Sequence, residues 1–457
     1  MTTQPVEKLI LKLSIPTIAS MLVTAAYNLA DTLFVTMIGG EKGTAAIDAV
    51  TLAFSVMSII QAFGFFVGQG ASNYISRALG RQETEKASQM AVTGLVASFL
   101  VGILLGGVGL LFTEGIAKAL GAEADFLMPT VEYLRWIFLA APFVTASFCL
   151  NNQLRFQGNA VYAMIGVISG AVLNVGLDPL LILKFRMGAE GAALATAISQ
   201  TVGFFVLLLG TYRGDTIRIR LKNICFSWEN ISNIVKGGLP SLLRQGFASI
   251  SVMLLNRTAG SVGADLPEIG SKVLIAAFGL VSKITTTAAF VIIGLGQGYQ
   301  PVCGFNYGAR LYGRVRRAFW FLVSVCAVWC IVLTLGCECL APNVVGLFRD
   351  AEPKVRELAV TILRIQAVSF IVNCWVVPSN MTQQTIGETA SASVVAMARQ
   401  GLFLIPLVLT LPRLYGLRGL ELCQPLSDLG ALLLTIPLQI RILRRFKRMD
   451  KQGGEIL

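Results

Sequence analysis

Residues 13–38 read LSIPTIASMLVTAAYNLADTLFVTMI, and residues 162–183 read YAMIGVISGAVLNVGLDPLLIL. Each run is long enough to cross a bilayer, which takes about 20 apolar residues. Each also holds an acid, Asp31 in the first and Asp178 in the second. An ionised carboxylate in hydrocarbon is costly. An acid kept there lines a water-filled cavity and handles an ion or proton, unless it sits at the membrane surface or pairs with a buried Arg. The two runs therefore predict an all-α membrane protein, a transporter whose working groups are a few acids.

The whole chain agrees. Of 457 residues, 55% are hydrophobic and only 14% charged, with a mean hydropathy of +0.71, whereas about a quarter of the residues of a soluble domain are charged. There is room for about ten to twelve spanning helices and for no sizeable soluble domain. Met1 to Ser14 shows no short apolar core with a small-residue cleavage site, so the first span itself addresses the chain to the membrane. The net charge of +12 does not point to nucleic acid. The excess lies in short loops assigned to the inner side (Arg77, Arg81, Lys86, Arg310, Arg316, Arg317) and in the tail from Arg441 to Arg448. That bias places both termini in the cytoplasm. The nine cysteines lack zinc or redox spacing and the chain has no histidine, which excludes His-based metal sites and switches. No phosphate loop or nucleophile constellation occurs, so no enzyme is expected.

Apolar windows fall near 13–38, 47–70, 88–112, 130–153, 161–183 and 189–212. They fall again near 233–260, 271–300, 318–340, 357–380, 393–411 and 416–440. Twelve spans in two sets of six imply an N-terminal lobe at 1–212, a cytoplasmic linker at 213–232, a C-terminal lobe at 233–444 and a basic cytoplasmic tail at 445–457. The linker's alternation of Ile217, Ile219 and Leu221 with basic residues suits a strand or an interfacial strip. Echoes support a repeat. Gly68-Gln69-Gly70 recurs as Gly296-Gln297-Gly298, Gly158 as Gly387, and Gly188 and Gly191 as Gly416 and Gly419, at offsets of 228 or 229. Such two-fold repeats build binding cavities that alternate their access.

Counting about 1.5 Å of rise per residue, Asp31, Asp178 and Thr196 lie at one depth in the outer part of the first lobe. Asn174 sits one turn deeper on the same face as Asp178. Carboxylate, amide and hydroxyl oxygens suit a hard cation, and paired carboxylates also hold a proton. Either Na⁺ or H⁺ fits this set. The second half has Leu255, Pro406 and Gln424 at the equivalent places, so the site is expected in the first lobe alone. Glu421 and Asp428, in the last span, have no evident oxygen neighbours and read as structural or cavity-lining groups.

With these residues in hand, the chain resembles the multidrug and toxic compound extrusion (MATE) family, in its bacterial DinF-like and MepA-like branch. The resemblance is carried by Ser14-Ile15-Pro16 through Tyr27-Asn28-Leu29-Ala30-Asp31, by Asn174 to Pro179, and by Gly296 to Pro301 leading into Phe305 to Ala309. Arg399-Gln400 followed by Leu404-Ile405-Pro406 adds to it. It implies two six-helix lobes around a central cavity in a bacterial inner membrane. It also implies export of small cationic or amphipathic compounds by a monomer, driven by Na⁺ or H⁺ and needing no cofactor. By resemblance the cation binds at Asp31, Asn174, Asp178 and Thr196, Tyr133 joins their hydrogen-bond network, and Tyr27, Asn28 and Asn151 line the substrate cavity.

A rival reading is a lipid-linked saccharide flippase of the same superfamily. Its anionic cargo would call for cavity cations, for which Arg135, Arg244, Arg257, Lys283 and Arg364 are the candidates. A channel is disfavoured, because a two-lobe repeat with prolines inside its spans suits rocking rather than a fixed pore.

Overall fold

In lipid no water satisfies backbone amides, so an apolar chain of this kind resolves into helices that close their own hydrogen bonds. A computed structural model describes all residues except 39, 124, 214–216, 218–220, 267–268, 347–351 and 455–457, and leaves out the side chains of 28–29, 32, 40–42, 221 and 452–454. It is 91% helical and, among the described residues, has no strand.

The first six long helices are α1 (Val6–Thr36), α2 (Gly40–Gly80), α3 (Thr84–Leu111), α4 (Leu127–Phe156), α5 (Ala160–Asp178) and α6 (Gly188–Arg213). The next three are α7 (Trp228–Ala264), α8 (Ser271–Gly308) and α9 (Tyr312–Gly346). Helix α10 joins Pro353–Ser369 to Asn373–Ile386 through a 3-10 turn, and α11 starts at Thr389–Met397 and runs through a π turn, Ala398–Phe403, to residue 415. Helix α12 follows from 417, after Gly416 breaks the helical path at φ 59° and ψ −132°.

By length and hydropathy alone ten helical stretches could span a membrane, one of them the 63-residue run Thr389–Lys451. Gly416 divides that run into two. Helix α7 adds another span, which Lys236, Arg244 and Arg257 keep below the hydropathy of its neighbours. Twelve spanning helices result.

Two compact units emerge, one running Lys12–Leu242 together with Met1, the other Leu243–Leu457 together with Thr2–Leu11. The division falls inside α7 because that helix starts against α2. A Cβ added at Gly70 would lie 2.1 Å from the Ile234 carbonyl oxygen, an approach only glycine permits. The first residues of the chain go with the second unit through polar contacts. Arg317 Nε pairs with Glu7 Oε1 at 2.5 Å, and Arg314 donates to the Gln4 carbonyl at 2.5 Å. The stretch read from the sequence as a strand or an interfacial strip, Ile217 to Leu221, lies largely outside the described residues; at its end a 3-10 turn, Leu221–Asn223, leads to contacts with α3. Asn223 Nδ2 donates to Ser88 Oγ at 3.1 Å, and the Cys225 amide donates to Thr93 Oγ1 at 3.2 Å. These groups find their partners on α3 side chains.

The repeat seen in the sequence returns in the backbone of each unit. Three pairs of positive-φ residues match at the same offsets: Gln82 and Arg310 (φ 64° and 60°), Gly158 and Gly387 (94° and 91°), Gly188 and Gly416 (61° and 59°). Side-chain ties match as well. Asn151 Nδ2 donates to the Ala163 carbonyl at 3.1 Å, and Asn380 Nδ2 to the Ala392 carbonyl at 2.8 Å, all at an offset of 229.

Candidate functional site

Glycines bring α5 and α6 together. A Cβ at Gly170 would lie 3.2 Å from the Ser199 carbonyl oxygen, and one at Gly203 would lie 3.4 Å from that of Gly166. This close packing sets Asn174 and Asp178 opposite Thr196, and all three are buried. Asn174 Nδ2 donates to Asp178 Oδ1 and to Thr196 Oγ1, each at 3.4 Å. After Asp178 the helix passes into a π turn, Pro179–Lys184, because Pro179 cannot donate an amide hydrogen bond.

Among the described residues, no cationic side chain pairs with the cluster. Asp31 Oδ1, Asp178 Oδ2 and Asn174 Oδ1 are buried with no hydrogen-bond partner, and no ion pair among the described residues reaches either acid. Asp31 lies within electrostatic range of Asp178. Tyr133, 1% exposed, faces Thr196 and senses both acids, while Tyr27 reaches Gln200 and also faces both. Carboxylate, amide and hydroxyl oxygens gathered in this way are of the kind that hard cations and protons take as partners. A small cleft touches the site, lined by Gln61, Ile137, Ala140, Thr196 and Gln200 among others. The cleft has room for about one water molecule.

Of the residues expected to line a substrate cavity, Tyr27 stands beside the cluster, and Asn151 ties α4 to α5 through the Ala163 carbonyl. The Asn28 side chain lies outside the described ones. Among the described residues no group of three or more His, Cys, Asp or Glu side chains is arranged to hold a metal ion.

The second unit holds a surprise. Asp428, read from the sequence as having no evident oxygen neighbours, is the hub of a buried network. Arg399 Nε pairs with its Oδ1 at 2.6 Å, Gln424 Nε2 donates to the same oxygen at 2.9 Å, and Ser369 Oγ donates to Oδ2 at 2.7 Å. The correction has a simple cause: these partners come from α10 and α11 as well as α12, and span-by-span reading does not join them. One signal was available. Gln424 precedes Asp428 by four residues, the same one-turn spacing that links Asn174 to Asp178.

The comparisons with known proteins agree in kind. The MatE family model matches residues 16–180 and again 246–410, a doubling that follows the repeat. The multidrug export protein MepA of Staphylococcus aureus is 28% identical over 444 residues, which is 96% of this chain and 95% of that protein. Among solved structures, a multidrug resistance MATE family transporter of the MOP superfamily in an outward-facing conformation superposes with a TM-score of 0.90. It is 26% identical, and the match covers 97% of both chains. A MOP superfamily transporter from Pyrococcus furiosus, described as having reversed polarity in its binding pocket, superposes with a TM-score of 0.89 at 26% identity, also over 97% of both chains.

Proposed function

We propose, from the premise that this chain belongs to the MATE family of transporters, that it exports small cationic or amphipathic compounds in exchange for Na⁺ or H⁺ bound at Asp31, Asn174, Asp178 and Thr196. The observation that carries the reading is the pair of acids in the first unit, with three buried oxygens unpartnered and no ion pair to either acid among the described residues. Leaving that charge uncompensated is expensive, so the cluster draws a proton or Na⁺ from whichever side it faces. Tyr133 orients Thr196, and Asn174 links Asp178 to Thr196, so ion binding draws α5 and α6 into one arrangement. Helix α1, which carries Asp31 and contains Pro16, is the element whose bend then changes. Cargo is expelled as the cavity beside α1 shrinks.

The family and its relatives are transporters, a kind of protein that is not an enzyme. In this reading the chain is a multi-pass protein of the bacterial inner membrane with both termini cytoplasmic. It works as a monomer and needs no resident cofactor.

The test is dye efflux from inverted vesicles, with a Na⁺ gradient and a pH gradient imposed separately. Export of a cationic dye under at least one gradient, abolished by Asp31→Asn, is the expected result. Faster movement of an anionic dye, lost on substituting Arg244 or Lys283, would move the assignment to the flippase reading.

A further inference from the structure

The ion pair of the second unit stands where the first unit has its cleft. Three cleft-lining residues, Ala140, Thr196 and Gln200, have repeat mates at Ser369, Gln424 and Asp428. The offsets are those that join Asn151 to Asn380 within α4 and α10, and Gly188 to Gly416 ahead of α6 and α12. These three mates are the residues that meet at the Arg399 ion pair. Arg399 is itself the mate of Gly170, and contacts confirm the pairing. Gly170 abuts the carbonyl of Ser199, and Ser427, the mate of Ser199, donates to the carbonyl of Arg399. A position with no side chain in the first unit therefore carries a guanidinium in the second, and a glutamine has become a carboxylate.

We propose that Arg399 is a tethered cation that does in the second unit what a mobile ion does in the first, so that Asp428 is a latent cation site held shut by the chain's own guanidinium. The inference rests on the reading of the Asp31 and Asp178 cluster as the coupling site. Both oxygens of Asp428 are occupied by donors, with its side chain 1% exposed, whereas Asp178 Oδ2 has no partner. Without the guanidinium, Ser369 and Gln424 would leave a buried carboxylate with two neutral donors and no countercharge. Such a group takes up a proton or Na⁺. The other ionisable groups nearby are the Cys330 thiol, within range of Arg399, and Cys374 beside it. Glu421, two turns back on α12, faces Arg418. None of them replaces the arginine.

The experiment counts cations on purified full-length protein in detergent, as protons taken up in a titration and as radioactive Na⁺ bound at saturation. Four forms are compared: wild type, Arg399→Met, Arg399→Met with Asp428→Leu, and Asp31→Asn. Arg399→Met is expected to gain about one cation equivalent per chain, the two assays telling proton from Na⁺. The double variant should return to the wild-type count. An unchanged count in folded Arg399→Met overturns the proposal, as does a gain that persists in the double variant. If Arg399→Met does not fold, the double variant decides, because apolar side chains of similar volume commonly replace a buried ion pair without loss. Wild-type counts and wild-type coupled export are then required of it, and their loss in folded protein overturns the idea. A wild-type count in Asp31→Asn would instead reject the underlying assignment of the first-unit cluster.

Discussion

Asp178 and Asp428 are both buried carboxylates with an amide side chain as neighbour, in units whose backbones repeat one another down to their left-handed turns. One is left short of charge, sharing its surroundings with a second acid. The other is closed by Arg399, Gln424 and Ser369. A shared frame can therefore carry opposite electrostatics, and the choice lies in a few side chains, above all glycine or arginine at one position of the fifth helix of each unit. An open charge needs a partner from solution and can do work with it. A closed one lends order to its unit and exchanges nothing.

The largest expected effect separates the two acids by function. Asp31→Asn and Asp178→Asn should each reduce gradient-driven export to the background without a gradient, as read by dye efflux under both gradients, while the protein remains folded. If Asp31→Asn exports at the wild-type rate and folded Asp428→Asn does not, the working site lies in the second unit and the comparison is inverted.

Stability should divide the acids the other way. Asp428→Asn leaves Arg399 without its carboxylate and is expected to cost about 2–3 kcal/mol, the low end for a buried pair because Arg399 is 28% exposed. Asp178→Asn should cost nothing or stabilise, since it removes an uncompensated charge. Thermal unfolding in detergent measures both.

The turns test the common frame. Gly158→Ala and Gly387→Ala both force a Cβ into the left-handed region and should each destabilise by roughly 1–2 kcal/mol, equally within error. A large difference between them would mean that the repeat is not held by the same backbone device in both units. Smallest of all, Asn174→Ala and Thr196→Ala should weaken ion affinity about five-fold, equivalent to about 1 kcal/mol for a lost hydrogen bond. Gln424→Ala should leave ion affinity unchanged, a contrast that isothermal ion titration resolves.

Much of this was legible in the chain as written. Asp31 and Asp178 stand out because acids are rare in apolar runs, and helical rise places Thr196 and Asn174 near them. Gly158, Gly188 and their mates disclose the repeat because only glycine takes those backbone angles cheaply. The Arg399 and Asp428 pair was hidden, its partners 29 positions apart and on either side of the Gly416 break. Helix α7 was visible as a window but is the least apolar of the spans, since its three basic residues dilute it.

By itself the sequence determined the number of spans and the doubling, because those follow from hydropathy, helix geometry and the special backbone of glycine, all local properties. Only the tertiary structure decided which buried acid is compensated. Compensation depends on distances of a few ångströms between side chains on different helices, and Coulomb energy and hydrogen bonding at that range are set by packing, on which the order of residues along a single span is silent.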